Sequence, residues 1–180
     1  FTPDKTRPLS IVNTDNRLIA NAYRLLLEPI INEWVSNMQR GFLKHRSMLA
    51  NVIDIDFEAM RISLQQEHGA IVLFDFASAF PSVSQEYMWS VLSHIGVDPN
   101  ILRAIQRLYK NNIHSIRVKG SVFPSFTATS GVRQGCPLSP LLFAAVADVL
   151  LRRLSAHMPE NTVRAFADDT GMVTGNLARD

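Results

Sequence analysis

Three aspartates carry the first chemistry this sequence offers. Asp168 and Asp169 are adjacent, follow the short apolar run Ala165-Phe166-Ala167, and precede Thr170-Gly171-Met172-Val173. Successive side chains of a flat strand point to opposite faces, so the pair can serve one site only if the backbone turns tightly between two strands. Gly171 and the apolar flanks would permit such a hairpin. By composition alone, adjacent acids are an ordinary solvated loop. The third carboxylate, Asp75, ends the apolar run Ala70-Ile71-Val72-Leu73-Phe74, which reads as a buried strand. A lone acid there is as readily a helix cap or turn residue. Taken together, one carboxylate ending a buried strand and two at a turn after another strand are what phosphoryl transfer at two magnesium ions requires. Magnesium takes hard oxygen ligands and lets substrate phosphates complete its shell, and manganese could stand in for it. Two such ions, roughly 4 Å apart, would activate an attacking hydroxyl and steady a leaving pyrophosphate.

Helices and strands must position these acids. Thr14 or Asp15 can cap a first helix in which Leu18, Ile19, Ala22, Leu25 and Leu26 recur at helical spacing until Pro29 kinks or restarts it. Gln39-Arg40-Gly41-Phe42 breaks the pattern as a loop. Ser47 caps a second helix whose apolar face is Leu49, Val52, Ile53, Phe57, Met60 and Leu64. After the Asp75 strand, Ser82 with Gln85 makes a capping box, and Pro99 starts a helix with Arg103, Arg107 and Lys110 near one face. Residues 115–129 alternate about Gly120-Ser121 as a hairpin. The turn-rich stretch 130–140 leads into a helix capped by Ser139 with Pro140 at its first position, and residues 162–167 form the last strand. In that stretch Gly131 and Gly135 let backbone approach a ligand closely, with Gln134 between them as donor and acceptor.

At 180 residues with 47% hydrophobic content, the chain can bury one sizeable core. It opens at Phe1 rather than methionine and stops soon after the acidic pair, so a longer parent protein is expected. The apolar run 141–151 is interrupted by Asp148 and too short for a bilayer, so no membrane partner is expected. Net charge is only +2, yet residues 99–147 hold six cationic side chains (Arg103, Arg107, Lys110, Arg117, Lys119 and Arg133) and no acid. A polyanion-binding face beside a metal pocket would divide charge this way, and so would a run of solvated basic side chains. Five scattered histidines and the single Cys136 offer no metal spacing or nucleophile, and no phosphate-binding glycine loop occurs.

The strings Asp75-Phe76-Ala77-Ser78-Ala79-Phe80, Gly131-Val132-Arg133-Gln134-Gly135-Cys136-Pro137-Leu138-Ser139-Pro140 and Phe166-Ala167-Asp168-Asp169 resemble, in order and spacing, the palm motifs of reverse transcriptases. The central string is most similar to those of non-LTR (LINE-type) retrotransposons. Arg7-Pro8-Leu9-Ser10 and Gln39-Arg40-Gly41-Phe42 extend the likeness into the fingers region. The resemblance implies an α+β fold: a right-hand polymerase palm, an antiparallel sheet packed on helices, with part of the fingers and no thumb. One domain spans residues 1–180, about 1–69 fingers-like and 70–180 palm. It implies that Asp75, Asp168 and Asp169 hold two magnesium ions, with Asp168 the more central of the pair. Phe80 would bar a ribose 2′-hydroxyl, and Pro81 would restrict its backbone to an extended conformation. Gln134, Arg7 and Arg17 would contact the dNTP, and Gly131, Arg133 and Gly135, with Arg103, Arg107 and Lys110, the template and primer. The implied activity is RNA-directed DNA polymerisation within a retroelement polyprotein. The implied partners are an RNA template, a DNA primer, dNTPs and the flanking domains of the parent polyprotein, a thumb among them, with an endonuclease or a maturase segment left open, and the implied setting is intracellular, nuclear for a LINE-type element. The alternatives are an RNA-dependent RNA polymerase, against which Phe80 argues, and an inactive or repurposed palm that only binds RNA. The isolated chain is expected to be inactive.

Overall fold

A computed structural model describes residues 10–177. Two helices come first, α1 (Thr14–Trp34) and α2 (Met48–Gln65), followed by strand β1 (Ala70–Phe74). Then come the single helical turn α3 (Ala79–Ser82), α4 (Gln85–Ile95), α5 (Pro99–Tyr109) and the strands β2 (Ile113–Val118) and β3 (Ser121–Thr127). The long helix α6 (Ser139–His157) precedes β4 (Thr162–Phe166) and β5 (Asp169–Thr174). The fold is α+β, as expected. Its main sheet has the order β1-β5-β4 with both pairings antiparallel, and β2 and β3 form a separate hairpin.

Helix α6 is the centre of the core. Ser139 and the six consecutive residues Leu141, Leu142, Phe143, Ala144, Ala145 and Val146 are buried along its first turns, and α1, α4 and β4 pack around the helix. The small side chains at 144 and 145 let neighbours approach its axis. Helix α2 instead lies across β4 and β5.

Several local expectations give way to tertiary packing. Helix α1 buries Ala20, Leu27 and Ile31, whereas Leu18, Ile19, Leu25 and Leu26 are exposed; Pro29 sits within it without ending it. Helix α2 leaves its whole predicted face, Leu49, Val52, Ile53, Phe57, Met60 and Leu64, exposed and buries Asn51 and Ile62. Each helix carries apolar residues over a wide arc, and periodicity alone cannot say which part of that arc meets the core. Strand β1 is an edge strand with Ile71 and Leu73 exposed, not a buried one. The Ser82–Gln85 capping box does not form: Ser84 caps α4 by accepting from Tyr87 N, and the Gln85 amide reaches the Gly131 carbonyl. Ser139 begins α6 as a buried helical residue facing the Tyr109 hydroxyl, while Leu138 takes the cap position. The cap expected from Ser47 is present, and Asp98 caps α5 ahead of Pro99.

Candidate active site

The expected hairpin exists, and its turn is shorter than Gly171 would suggest. Phe166 pairs with Asp169, so Ala167 and Asp168 are the two loop residues between β4 and β5. Only the first has a positive φ, +60°, the pattern of a type II′ turn, where glycine is the usual choice. Gly171 lies within β5, buried, opposite Leu73 and Arg164. A Cβ there would come 2.9 Å from the Ile55 side chain of α2, so its smallness serves helix packing.

The β1–β5 register ends with Phe74 opposite Thr170; one step on, Asp75 leaves the sheet beside Asp169. The backbone therefore delivers all three aspartates to one end of the sheet. Asp168 is half-buried, whereas Asp75 and Asp169 are exposed. Among the described residues none of the three is paired with a cationic side chain, and no three carboxylate, imidazole or thiolate side chains are drawn together closely enough to hold a metal. The donor chemistry, hard carboxylate oxygen without a neutralising partner, suits magnesium or manganese.

Gln39, which the sequence marks only as part of a loop and of a string resembling the fingers region, with no role attached to it, holds this turn. Gln39 is fully buried, its Oε1 accepts from Ala167 N at 2.8 Å and from Gly41 N at 2.8 Å, and its Nε2 donates to the Ala167 carbonyl at 3.0 Å. Gly41 lies so close that a Cβ would fall 2.1 Å from Ala167 N. The segment is stitched to β4 by Ala165 N to Met38 O and Arg40 N to Ala165 O, each 2.8 Å. Asp54 of α2 then accepts from Arg40 at 2.8 Å and from Arg164 at 2.6 Å. The Arg164 guanidinium, with Arg40 beside it, holds the Asp54 carboxyl below its ordinary range. Neither composition nor periodicity marks a buried amide of this kind; the one signal at the position is the resemblance carried by Gln39-Arg40-Gly41-Phe42.

Phe80 lies in α3, a helical turn, rather than in the extended backbone expected before Pro81. Its ring stacks on Phe143 with centroids 4.4 Å apart and meets the edge of Phe42 at 6.1 Å; its carbonyl accepts from Val132 N at 2.9 Å. Gly131, at φ +82°, packs so tightly that a Cβ would lie 2.8 Å from Pro81 backbone, and at Gly135 a Cβ would lie 2.4 Å from the Ser10 carbonyl. What closely approaches these glycines is the chain's own backbone. Gln134 is half-buried nearby in sequence. The Arg133 guanidinium donates to the Leu108 carbonyl at the end of α5. Arg103, Arg107 and Lys110 are exposed on and just beyond that helix, and Arg17 is exposed on α1; Arg7 lies outside the described residues. Beneath the acidic turn, Phe76, Ala79, Tyr87, Phe143, Leu150 and Asp168 help to line a mostly apolar cavity of about 310 Å³. Cys136 is buried in the core, a packed thiol as expected, and among the described residues no helix is long and apolar enough to cross a membrane.

The profile of the family described as reverse transcriptase (RNA-dependent DNA polymerase) matches residues 2–179. The chain is similar to a retrovirus-related Pol polyprotein from type-1 retrotransposable element R2 of Popillia japonica, at 28% identity over 97% of this chain and 26% of that protein. It is also similar to the transposon TX1 uncharacterized 149 kDa protein of Xenopus laevis, at 27% identity over 95% of this chain and 14% of the relative. It thus spans only a minor part of either. Among solved structures, an apo telomerase from Candida tropicalis is similar in fold, with a TM-score of 0.57 at 10% identity over 92% of this chain and 31% of that one.

Proposed function

The chain belongs to the reverse transcriptase family, as a domain of the non-LTR retrotransposon type, and from that premise we propose that it supplies the catalytic centre of an RNA-directed DNA polymerase. The observation that carries the proposal is the meeting of three distant stretches. Asp75 leaves β1, Asp168 lies in the turn between β4 and β5 and Asp169 opens β5 at the same sheet end, and Phe80 is bonded through its carbonyl to Val132 beside Gly131.

In this reading the 3′-hydroxyl of a DNA primer attacks the α-phosphate of a dNTP paired with an RNA template. A new P–O bond forms, the bond to the β-phosphate oxygen breaks, and pyrophosphate leaves. Asp75, Asp168 and Asp169 would hold two divalent cations, which supply the charge that activates the hydroxyl and neutralises the leaving group. The chain's own part is orientation and fixed charge, with no covalent protein intermediate. Phe80, its ring fixed by Phe143 and Phe42, fills the space of a ribose 2′-hydroxyl. Gln134, Arg7 and Arg17 attend the dNTP, and Gly131, Arg133 and Gly135 the nascent pair. Arg103, Arg107 and Lys110 meet the phosphates of the template and primer. About residues 1–69 act as fingers and about 70–180 as palm, a thumb belongs to the parent polyprotein, and for a LINE-type element the setting is the nucleus.

The separation of the carboxylates favours one rival, a palm that binds RNA without catalysis. Primer extension decides between them. In the parent protein with its flanking domains, Asp168→Asn is expected to lower magnesium-dependent extension of a DNA primer on an RNA template by at least about 100-fold. Asp169→Asn is expected to be the milder change. Full extension by Asp168→Asn, or none by the parent itself, overturns the proposal.

A further inference from the structure

We propose that Gln39 is a positioning residue for the acidic turn: its amide holds Ala167 in the left-handed conformation, and so fixes where the Asp168 carboxylate points. The inference rests on the reading of that turn as catalytic. Ala167 at φ +60° is a non-glycine residue in a sparsely populated conformation that persists only where its surroundings impose it. The Gln39 side chain brackets the Ala167 residue, taking its N–H and giving an N–H to its carbonyl, the two groups that fix both flanking peptide planes. A type II′ turn built on glycine would need no such bracket.

The bracket is itself immobilised. Its second accepting bond, from Gly41 N, and the two backbone bonds to Ala165 fix the loop against β4. Asp54 anchors the intervening Arg40 together with Arg164 of β4. Gly41 can only be glycine, because any Cβ would strike the Ala167 amide. The Gln39 side chain therefore carries the hydrogen bonds from the loop after α1 to Ala167, and Asp168 is the residue that follows.

The test uses Gln39→Met, which keeps length and volume but loses all three hydrogen bonds, with Ala167→Gly as a second change that removes the need for the bracket. Three quantities are read in the parent protein: hydrogen exchange at the Ala167 amide, Mn2+ binding by paramagnetic relaxation, and kcat against KM for dNTP. Gln39→Met is expected to speed Ala167 exchange about tenfold or more, weaken Mn2+ binding, and lower kcat with KM little changed. Adding Ala167→Gly should restore Mn2+ binding and kcat to within about threefold of the original protein, because glycine adopts positive φ unaided. Should Gln39→Met not fold, Gln39→Glu, which keeps the two accepting bonds and loses the donated one, is expected to give a smaller loss with the same rescue. Unchanged exchange at Ala167, or losses that Ala167→Gly does not repair, overturns the proposal and leaves Gln39 a packing residue. A parent protein that binds no Mn2+ overturns the polymerase reading instead, while exchange at Ala167 still decides the bracket.

Discussion

Phe80 shows how neighbouring rings can fix a single side chain. Stacking on Phe143 at 4.4 Å and the edge of Phe42 at 6.1 Å leave the ring little rotational freedom, and the Phe80 carbonyl is tied to Val132 N. A rigid aromatic wall excludes an extra hydroxyl by sterics, an effect of roughly 10–200-fold for a group of that size. Phe80→Ala is therefore expected to raise incorporation of ribonucleotides relative to deoxyribonucleotides by at least about tenfold, measured by single-nucleotide extension with each in turn. An unchanged ratio would remove Phe80 from the nucleotide site.

Among elements, α6 and the loop after α1 are joined by a buried charge. Asp148 has no exposed surface, is paired with Arg152 at 2.7 Å, and accepts from the Ser36 backbone at 3.0 Å and from the Ser36 hydroxyl. Removing it leaves the Ser36 N–H without its acceptor, while the half-exposed Arg152 keeps its bond to the Trp34 carbonyl, so Asp148→Ala is expected to cost about 1–3 kcal/mol, read as a lower denaturant midpoint with unchanged slope. The Asp54 anchor acts at the same scale and brings a pH dependence. Its folded pKa lies below the unfolded value because the ionised form is bonded to Arg164 and Arg40. A depressed acid contributes stability that is full above the unfolded pKa of about 3.9 and is lost as pH falls through the folded pKa. Asp54→Asn should thus lower the thermal midpoint by a constant amount from pH 7 to about 5, and the difference should shrink below about pH 4. A difference independent of pH would mean that the carboxylate is not ionised in the anchor.

At the scale of the molecule, charge is segregated rather than large. The segment 99–147 holds only cationic charge, and Arg103, Arg107 and Lys110 of that segment are exposed. Neutralising phosphates with such side chains releases counterions, so affinity falls with salt in proportion to the contacts made. Changing all three to alanine is expected to reduce the slope of log affinity against log salt by about 2–3 for an RNA–DNA duplex. A slope equal to that of the original protein would show that α5 does not face the duplex.

The three acids were legible in the sequence because each ends a strand or stands in the turn between two, and strand composition is a local property. The cap at Ser47 and the start of α5 at Pro99 were legible for the same reason. The resemblance of the strings around Asp75, Gly131 and Asp168 was enough to indicate the family. Which stripe of α1 and α2 is buried was not legible, since both helices are apolar over wide arcs and only the position of α6 and the sheet selects the buried part. Nor was the helical backbone at Phe80, where stacking on Phe143 and the bond to Val132 prevail over the preference set by Pro81. Least legible was Gln39. Two of its three hydrogen bonds reach across more than a hundred residues to Ala167, the third being local to Gly41, and a contact of that span exists only once the chain has folded.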